Sequence, residues 1–307
     1  MTDALIITNP TAARAGGRGL AAARRRLEGR GFRVTVETTG ATGHGERLAR
    51  AAAESGVGVL IAHGGDGTVM DVAAALVGTA LPLGLLPGGT GNVLAGNLGI
   101  SRSFTAAADT IAAGITRTID VGRLTTAAGS RYFVVNCAAG FAADLMAGTE
   151  QHHKRRFGVA AYVVRAAVMA ASLVRAATRI DVDGVRHEGR AATVIVANCR
   201  HLVPGLLPLA GRIAPDDGLL DVVVLDAASY AGAMRLVWRM LQRRPDADSG
   251  ITFYRGRTIR VSCEPSLPVE ADGEPLGATP MTVEVIPRAL TVFVPKPGHA
   301  APATHGQ

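Results

Sequence analysis

The chain has 307 residues, 48% of them hydrophobic and 19% charged, with a formal net charge of +7. That apolar share builds a sizeable core and excludes a disordered chain, and the length suits two domains of roughly 100–200 residues each. Aromatics supply only 4%, which argues against a nucleic-acid binder that stacks bases on aromatic platforms, while the positive balance favours phosphates or acidic membrane surfaces.

In chain order, a strand is expected at 4–8, a helix near 18–28, a strand at 32–38 and a helix near 44–54. The continuous apolar run 57–62 reads as a strand buried on both faces, 68–76 as a helix, and 82–87 as another buried strand. This βαβα rhythm implies a parallel sheet covered by helices. Past residue 120 the pattern turns to strands at 117–124, 131–138, 179–184, 191–199, 219–226, 251–263, 280–286 and 290–294, with helices near 157–177 and 228–243. Turn signals such as Asp183-Gly184 imply hairpins and a mainly antiparallel, sandwich-like second domain. The expected division is 1–122 for an α/β nucleotide-binding domain and 123–289 for a β-rich substrate domain. Residues 290–307 are expected to form a return strand and a disordered tail.

The start has no basic leader and meets Pro10, and no apolar run reaches the ~18 residues of a membrane span. The longest candidate, from Phe157 to Ala177, is broken by Arg165 and Arg175. Cys137, Cys199 and Cys263 match no metal spacing and read as buried thiols of a reducing compartment. The expectation is a cytoplasmic protein, with a peripheral contact on the inner face of the membrane.

Two glycine clusters each follow a buried strand: His63-Gly64-Gly65-Asp66-Gly67-Thr68 and Pro87-Gly88-Gly89-Thr90-Gly91-Asn92. Both therefore fall at the carboxyl edge of a parallel sheet, where such folds bind ligands. Glycines there let backbone N–H groups approach an anion, and a helix N-terminus adds its dipole. Asp66 beside a phosphate calls for a divalent cation between them, so the pair points to a nucleotide with Mg²⁺. Tight strand-to-helix turns are the plain alternative. GxxxxGK[ST] is absent, and the GxGxxA string at Gly17–Ala22 lies too far beyond its strand to be a dinucleotide fingerprint.

With these residues in place, the chain resembles the diacylglycerol kinase catalytic-domain family of bacterial lipid kinases, related in fold to NAD kinases. The resemblance extends over roughly 4–295 and rests first on the two glycine loops. Asn9-Pro10 resembles the family's first nucleotide-contacting loop and Thr39 its following threonine; Ala139-Gly140-Phe141, the run Asp216 to Asp221, and Asp272-Gly273-Glu274 match later motifs. Ala12-Ala13-Arg14 stand where the family usually has a serine and a glycine, while Asp71 and Val93 depart from its pattern without removing a phosphate-cradling glycine. The resemblance implies ATP held by Asn9, Pro10, Thr39, Gly64, Gly65, Gly67, Thr68, Gly88, Gly89, Thr90, Gly91 and Asn92. It also implies a metal at Asp66 and a second, structural Mg²⁺ at Asp217, for which a simple turn is the alternative.

Asp272 and Glu274, read as an extended segment, project from one face toward one site. A kinase acting on an alcohol needs a carboxylate to accept the hydroxyl proton. The resemblance implies Glu274 in that role, with Asp272 beside it and Asp66 as the rival. The nucleotide is expected in a cleft between the domains. His152 and His153 read as part of a solvated basic turn. Across 150–179, Lys154, Arg155, Arg156, Arg165, Arg175 and Arg179 face only Glu150, and on a helix Arg165, Ser172, Arg175 and Arg179 form one stripe. That segment either packs over a sheet or docks on anionic lipid. The apolar loop Leu202–Ala210 is a lipid-facing lip or core. The implied activity is phosphorylation of diacylglycerol or a related lipid, with a homodimer allowed. The alternatives are an NAD kinase-like enzyme on a soluble substrate and a catalytically weak lipid- or nucleotide-sensing protein.

Overall fold

The computed structural model describes residues 1–10, 17–40, 43–140, 174–203, 207–209, 213–227, 232 and 250–297. The chain divides into two compact units, Met1–Ile119 with Arg288–Gln307, and Asp120–Pro287.

The first unit runs β1 (Thr2–Thr8), α1 (Gly17–Glu28), β2 (Phe32–Thr38), α2 (His44–Glu54), β3 (Val59–Gly64), α3 (Asp66–Leu76), β4 (Leu83–Pro87), α4 (Val93–Asn97) and α5 (Phe104–Ala112). Its strands lie parallel in the order β2-β1-β3-β4. Ile6, Ile7, Leu60 and Ile61 are fully buried, as their unbroken apolar runs require, because helices cover the sheet. Helix α1 packs on α5 and α2 on α3. Right-handed crossovers place these two pairs on opposite faces. Strand order reverses between β1 and β3, so the crevice at their carboxyl ends is the position at which such sheets take ligands.

The second unit holds most of β5 (Thr116–Thr126), then β6 (Gly129–Phe133), β7 (Asn136–Gly140), β8 (Ala176–Val182), β9 (Val185–Ala191), β10 (Thr193–Ala197), β11 (His201–Val203), β12 (Leu207–Pro208) and β13 (Leu220–Leu225). It continues with β14 (Ile251–Gly256), β15 (Thr258–Glu264), β16 (Pro268–Ala271), β17 (Glu274–Ala278) and the first part of β18 (Met281–Phe293). One sheet runs β14-β13-β10-β7-β16-β17, antiparallel throughout. Against it lies a layer in which β15 pairs with β8 and β18, and β8 with β9. Cys137, Val196, Val222 and Val269 from the first layer meet Ile180, Ile259, Val261 and Val283 from the second in one core. The architecture is therefore α/β with a parallel first sheet and an antiparallel sandwich, as the sequence pattern predicts. The far end of β18 belongs to the first unit, where Val292 lies parallel to Leu83.

Several elements differ from expectation. The apolar stretch 131–138 is two strands in different sheets, because the Asp272 carboxylate takes the N–H groups of Val134, Val135 and Asn136 out of any ladder. The stretch 251–263 breaks in the same way at Arg257, whose N–H donates with that of Thr258 to the Asp183 carboxylate at 3.0 and 2.8 Å. Helix α5 is unforeseen, although Phe104, Ala107, Ala108 and Ile111 recur at helical spacing and are all buried. The expected helix 157–177 falls outside the described residues except at its end, where Ala176 already begins a strand. Arg175 and Arg179 therefore share no helix face. Arg179 sits on β8 paired with Glu188 at 3.0 Å, and Arg175 forks Asp226 at 2.5 and 2.6 Å. In the loop 202–210, Leu209 is fully buried and Leu202 packs on the same cluster, which makes the described part core rather than a lipid-facing lip. Phe141, His152, His153, Lys154, Arg155, Arg156, Arg165, Ser172 and the expected helix 228–243, apart from Gly232, lie outside the described residues.

Candidate active site

Strands β3 and β4 end side by side, Gly64 in register with Pro87, and each runs directly into its glycine loop. The N–H groups of Gly88 and Gly89 both donate to the Gly64 carbonyl, at 2.8 and 3.1 Å. The loops pack so closely that a Cβ on Gly89 would overlap the Cα of Gly65. One on Gly91 would lie 2.6 Å from Asp66 Oδ2, and one on Gly64 would run into the Thr68 side chain. Gly89 and Gly91 are demanded by loop-on-loop packing, and Gly64 by the Thr68 side chain of its own loop. Gly67 is different: nothing lies within 4 Å of a Cβ placed there. It occupies the first turn of α3, whose leading N–H groups have no partner within the helix, so its bare flank leaves room for an anion beside them.

Asp66 has a structural task that the sequence did not reveal. Its carboxylate accepts the N–H groups of Asn92 and Val93, at 2.9 and 2.6 Å, and so ties the first loop to the second. The charge of Asp66 is thus met in part by backbone N–H groups of the second loop. Asn92 holds a left-handed backbone, φ 53°, and its amide closes on Gly89, accepting from the N–H at 2.9 Å and donating to the carbonyl at 2.6 Å. Arg102 donates to the carbonyls of Gly89 and Thr90, at 3.3 and 3.4 Å, and is the cation at this loop that sequence reasoning missed.

Asn9, Pro10 and Thr39 follow the ends of β1 and β2 at the same sheet edge. The Asn9 N–H donates to the His63 carbonyl at 3.1 Å, and the Thr39 N–H to the Thr8 carbonyl at 2.9 Å. His63 is fully buried, its Nδ1 lying 2.7 Å from Thr8 Oγ1. Burial lowers its pKa to about 4, so the ring is neutral at neutral pH. The structure thus brings Asn9, Pro10, Thr39 and both glycine loops to one edge of the first unit.

The carboxylates of the second unit depart from the extended reading. Asp272 and Gly273 have φ of 47° and 87° and form the two-residue turn between β16 and β17. Such a turn suits the strand twist but destroys the i, i+2 alternation that placed both carboxylates on one face. The Asp272 carboxylate faces inward, accepting from Val134 at 2.8 Å, Val135 at 3.0 Å and Asn136 at 2.9 Å. Glu274 is exposed, its Oε2 lying 4.0 Å from Arg131 Nη1. A third carboxyl, missed from the sequence, is Glu270. It is 1% exposed, accepts from the Gly273 N–H through Oε2 at 2.5 Å, and is pushed up to about 8, chiefly by burial. Its only sequence signal is an acidic residue inside an apolar strand.

The described partners of Asp217 are a guanidinium and a backbone N–H. Arg255 reaches Asp217 Oδ2 at 3.0 Å and forks Asp221 at 3.1 and 3.2 Å, while Asp217 Oδ1 accepts from the Leu219 N–H at 3.1 Å. A single guanidinium is shared between the two carboxylates there. Among the described residues no group of three or more His, Cys, Asp or Glu side chains is arranged to hold a metal ion. No helix among them is long and apolar enough to cross a membrane.

Comparison with known proteins bears on both units. Residues 3–124 match the diacylglycerol kinase catalytic domain, and residues 136–294 the YegS C-terminal NAD kinase beta sandwich-like domain. A diacylglycerol kinase of Bacillus subtilis (strain 168) is 29% identical over 96% of this chain and 97% of its own length. One of Mycobacterium tuberculosis (strain CDC 1551 / Oshkosh) is 31% identical over 89% of this chain and 88% of its own. A longer relative, the uncharacterized Synechocystis protein sll0036, is 30% identical over 77% of this chain, which spans 54% of that protein. The fold is shared with a crystal structure of a diacylglycerol kinase from Bacillus anthracis str. Sterne, at a TM-score of 0.76 and 20% identity over 96% of this chain and 97% of that one. With its first half matching a diacylglycerol kinase catalytic domain and its second the YegS sandwich, the chain belongs to the bacterial diacylglycerol kinase and YegS-like lipid kinase family.

Proposed function

We propose that this chain is an ATP-dependent kinase that phosphorylates the hydroxyl of diacylglycerol or a closely related membrane lipid. The observation that carries the reading is Gly67: among tightly packed glycines it alone has open room, beside the first-turn N–H groups of α3 in a diacylglycerol kinase catalytic domain. ATP supplies the phosphoryl group, and Mg²⁺ offsets its charge. Gly65, Gly67 and Thr68 of the first loop and Gly88 to Gly91 of the second receive the phosphates, with Asn9, Pro10 and Thr39 along the same edge. A carboxylate offers about four lone-pair sites. Asp66, which ties the two loops together at this edge, would serve as the Mg²⁺ ligand.

In the transfer, the acceptor oxygen forms the new P–O bond while the bond to the departing ADP oxygen breaks. Glu274 takes the hydroxyl proton. Asp272 serves the site by fixing the turn that precedes Glu274. Catalysis is then largely positioning and electrostatics.

Transfer from labelled ATP to a panel of micelle-dispersed lipids, with diacylglycerol first and NAD as the soluble control, tests the proposal. Label should enter a lipid. Glu274→Gln should lower kcat by ~10²–10⁴-fold with ATP affinity retained, the usual size of a general-base contribution. Asp66→Asn should lose transfer and loosen the second loop. Label entering NAD alone would overturn the lipid reading, and full turnover by Glu274→Gln would overturn the assignment of the base.

A further inference from the structure

Glu270 is a buried carboxyl in a place where an apolar strand residue would be expected. Its neighbours on β16, Val269 and Ala271, point into the sandwich core, so Glu270 turns to the opposite face with Ala138, its partner across β7. Among the described residues, the charged group acting on it is Asp272, of like sign. Of its two oxygens, Oε1 has no hydrogen-bond partner among the described residues, while Oε2 accepts from the Gly273 N–H at 2.5 Å. Burying a carboxyl so poorly satisfied is unfavourable unless something is gained.

The gain is visible in what the bond holds. In a two-residue hairpin turn the N–H of the second turn residue has no ladder partner and ordinarily points to water. Here Glu270, two positions before the turn, reaches over and takes that N–H from inside. On the other side Asp272 holds the backbone at 134–136 through three N–H groups and donates its own N–H to the Asn136 carbonyl at 2.9 Å. The turn is clamped from both sides, and the next residue along the chain is Glu274. Its own side chain is exposed, paired among the described residues with Arg131 at 4.0 Å, so its direction is set by the backbone beneath it.

We propose that Glu270 is a positioning residue for Glu274, aiming the proton acceptor by fixing the Asp272-Gly273 turn through the Gly273 N–H. The inference rests on the reading of Glu274 as the base. Glu270 touches no substrate; a misaimed base lowers the rate of the chemical step and leaves nucleotide binding alone.

Turnover of full-length Glu270→Met, Glu270→Gln and wild type, with ATP and micellar diacylglycerol, is the test. Methionine has nearly the same length but accepts only weakly, so kcat should fall about tenfold with the ATP KM unchanged. Glutamine can still accept from Gly273 and should recover most of that loss. In a Glu274→Gln background, Glu270→Met should cause no further loss, since a residue that acts only through the base has nothing left to aim. A structural defect unrelated to Glu274 would instead multiply with it. Undiminished turnover in Glu270→Met, no recovery in Glu270→Gln, or a full multiplicative loss in the double variant would each overturn the proposal. Should Glu270→Met not fold, Glu270→Asp, too short to reach Gly273, is read by the same three criteria. If Glu274→Gln alone retains full turnover, the reading of the base falls first, and that outcome is distinct from the other three.

Discussion

Carboxylates at this protein's two sites are spent mostly on backbone N–H groups rather than on cations. Asp66 holds Asn92 and Val93, Asp272 holds residues 134–136, and Glu270 holds Gly273. For Glu270 the arrangement has a pH signature. Its pKa is about 8 in the folded chain against 4.5 for the free group, a raised acid. Between those values the unfolded chain releases a proton that the native state keeps. Stability therefore falls as pH rises through that window and is level above it, by at most ~4–5 kcal/mol. Glu270→Gln should raise the melting temperature near pH 8 and leave it unchanged near pH 4. Thermal denaturation across that range checks this, and an equal shift at both ends would assign the effect to packing instead. His63 works from the other side. Its pKa, lowered to about 4 by burial, gives stability that is complete above the ordinary value of 6.5 and is lost as pH falls.

At the scale of elements, carboxylates decide where strands stop. The chain leaves one sheet for the other at Val134-Val135 under Asp272, and again at Arg257 under Asp183. The glycine loops show the same economy of backbone contact, but their glycines are not equivalent. Gly89 abuts the Cα of Gly65, so Gly89→Ala should force the loops apart and cost ~1–3 kcal/mol of stability. Gly67→Ala meets nothing within 4 Å and sits in a helix, where alanine is favoured by ~0.5–1 kcal/mol. Its melting temperature should hold or rise while ATP affinity falls at least tenfold. Calorimetric melting and ATP titration of the two variants separate packing from ligand contact; an unchanged ATP affinity in Gly67→Ala would remove that residue from the phosphate site.

Over the whole molecule, the two units are built from an interrupted chain: the first takes its last strand from the end of β18, after the second is complete. The second unit cannot therefore be deleted without cutting a strand of the first. The net charge of +7 bears on the proposed lipid substrate. Each basic residue near an anionic surface contributes about 1 kcal/mol of attraction, screened by salt over ~8 Å at physiological ionic strength. Replacing Lys154, Arg155 and Arg156 with glutamine should weaken sedimentation with acidic vesicles, most at low salt, and spare nucleotide binding. Binding that depends on neither acidic lipid nor salt would assign no membrane role to this run.

Sequence alone determined the alternation of strand and helix in the first unit, the hairpin character of the second and the placement of both glycine loops at a sheet edge. Those properties follow from local periodicity and from the conformations that only glycine adopts readily. The tertiary structure alone decided what each carboxylate does. The string Asp272-Gly273-Glu274 looked like two carboxylates on one face, and becomes one anchor and one exposed group because the turn makes φ positive at both of its residues. Arg102 and Arg255 were indistinguishable from thirty arginines until folding brought one to Gly89 and the other to Asp217 and Asp221. Glu270 read as a flaw in an apolar strand. Its role depends on a bond to Gly273 whose existence requires the hairpin to have formed, and no pattern of neighbours along the chain encodes the direction in which a buried side chain points.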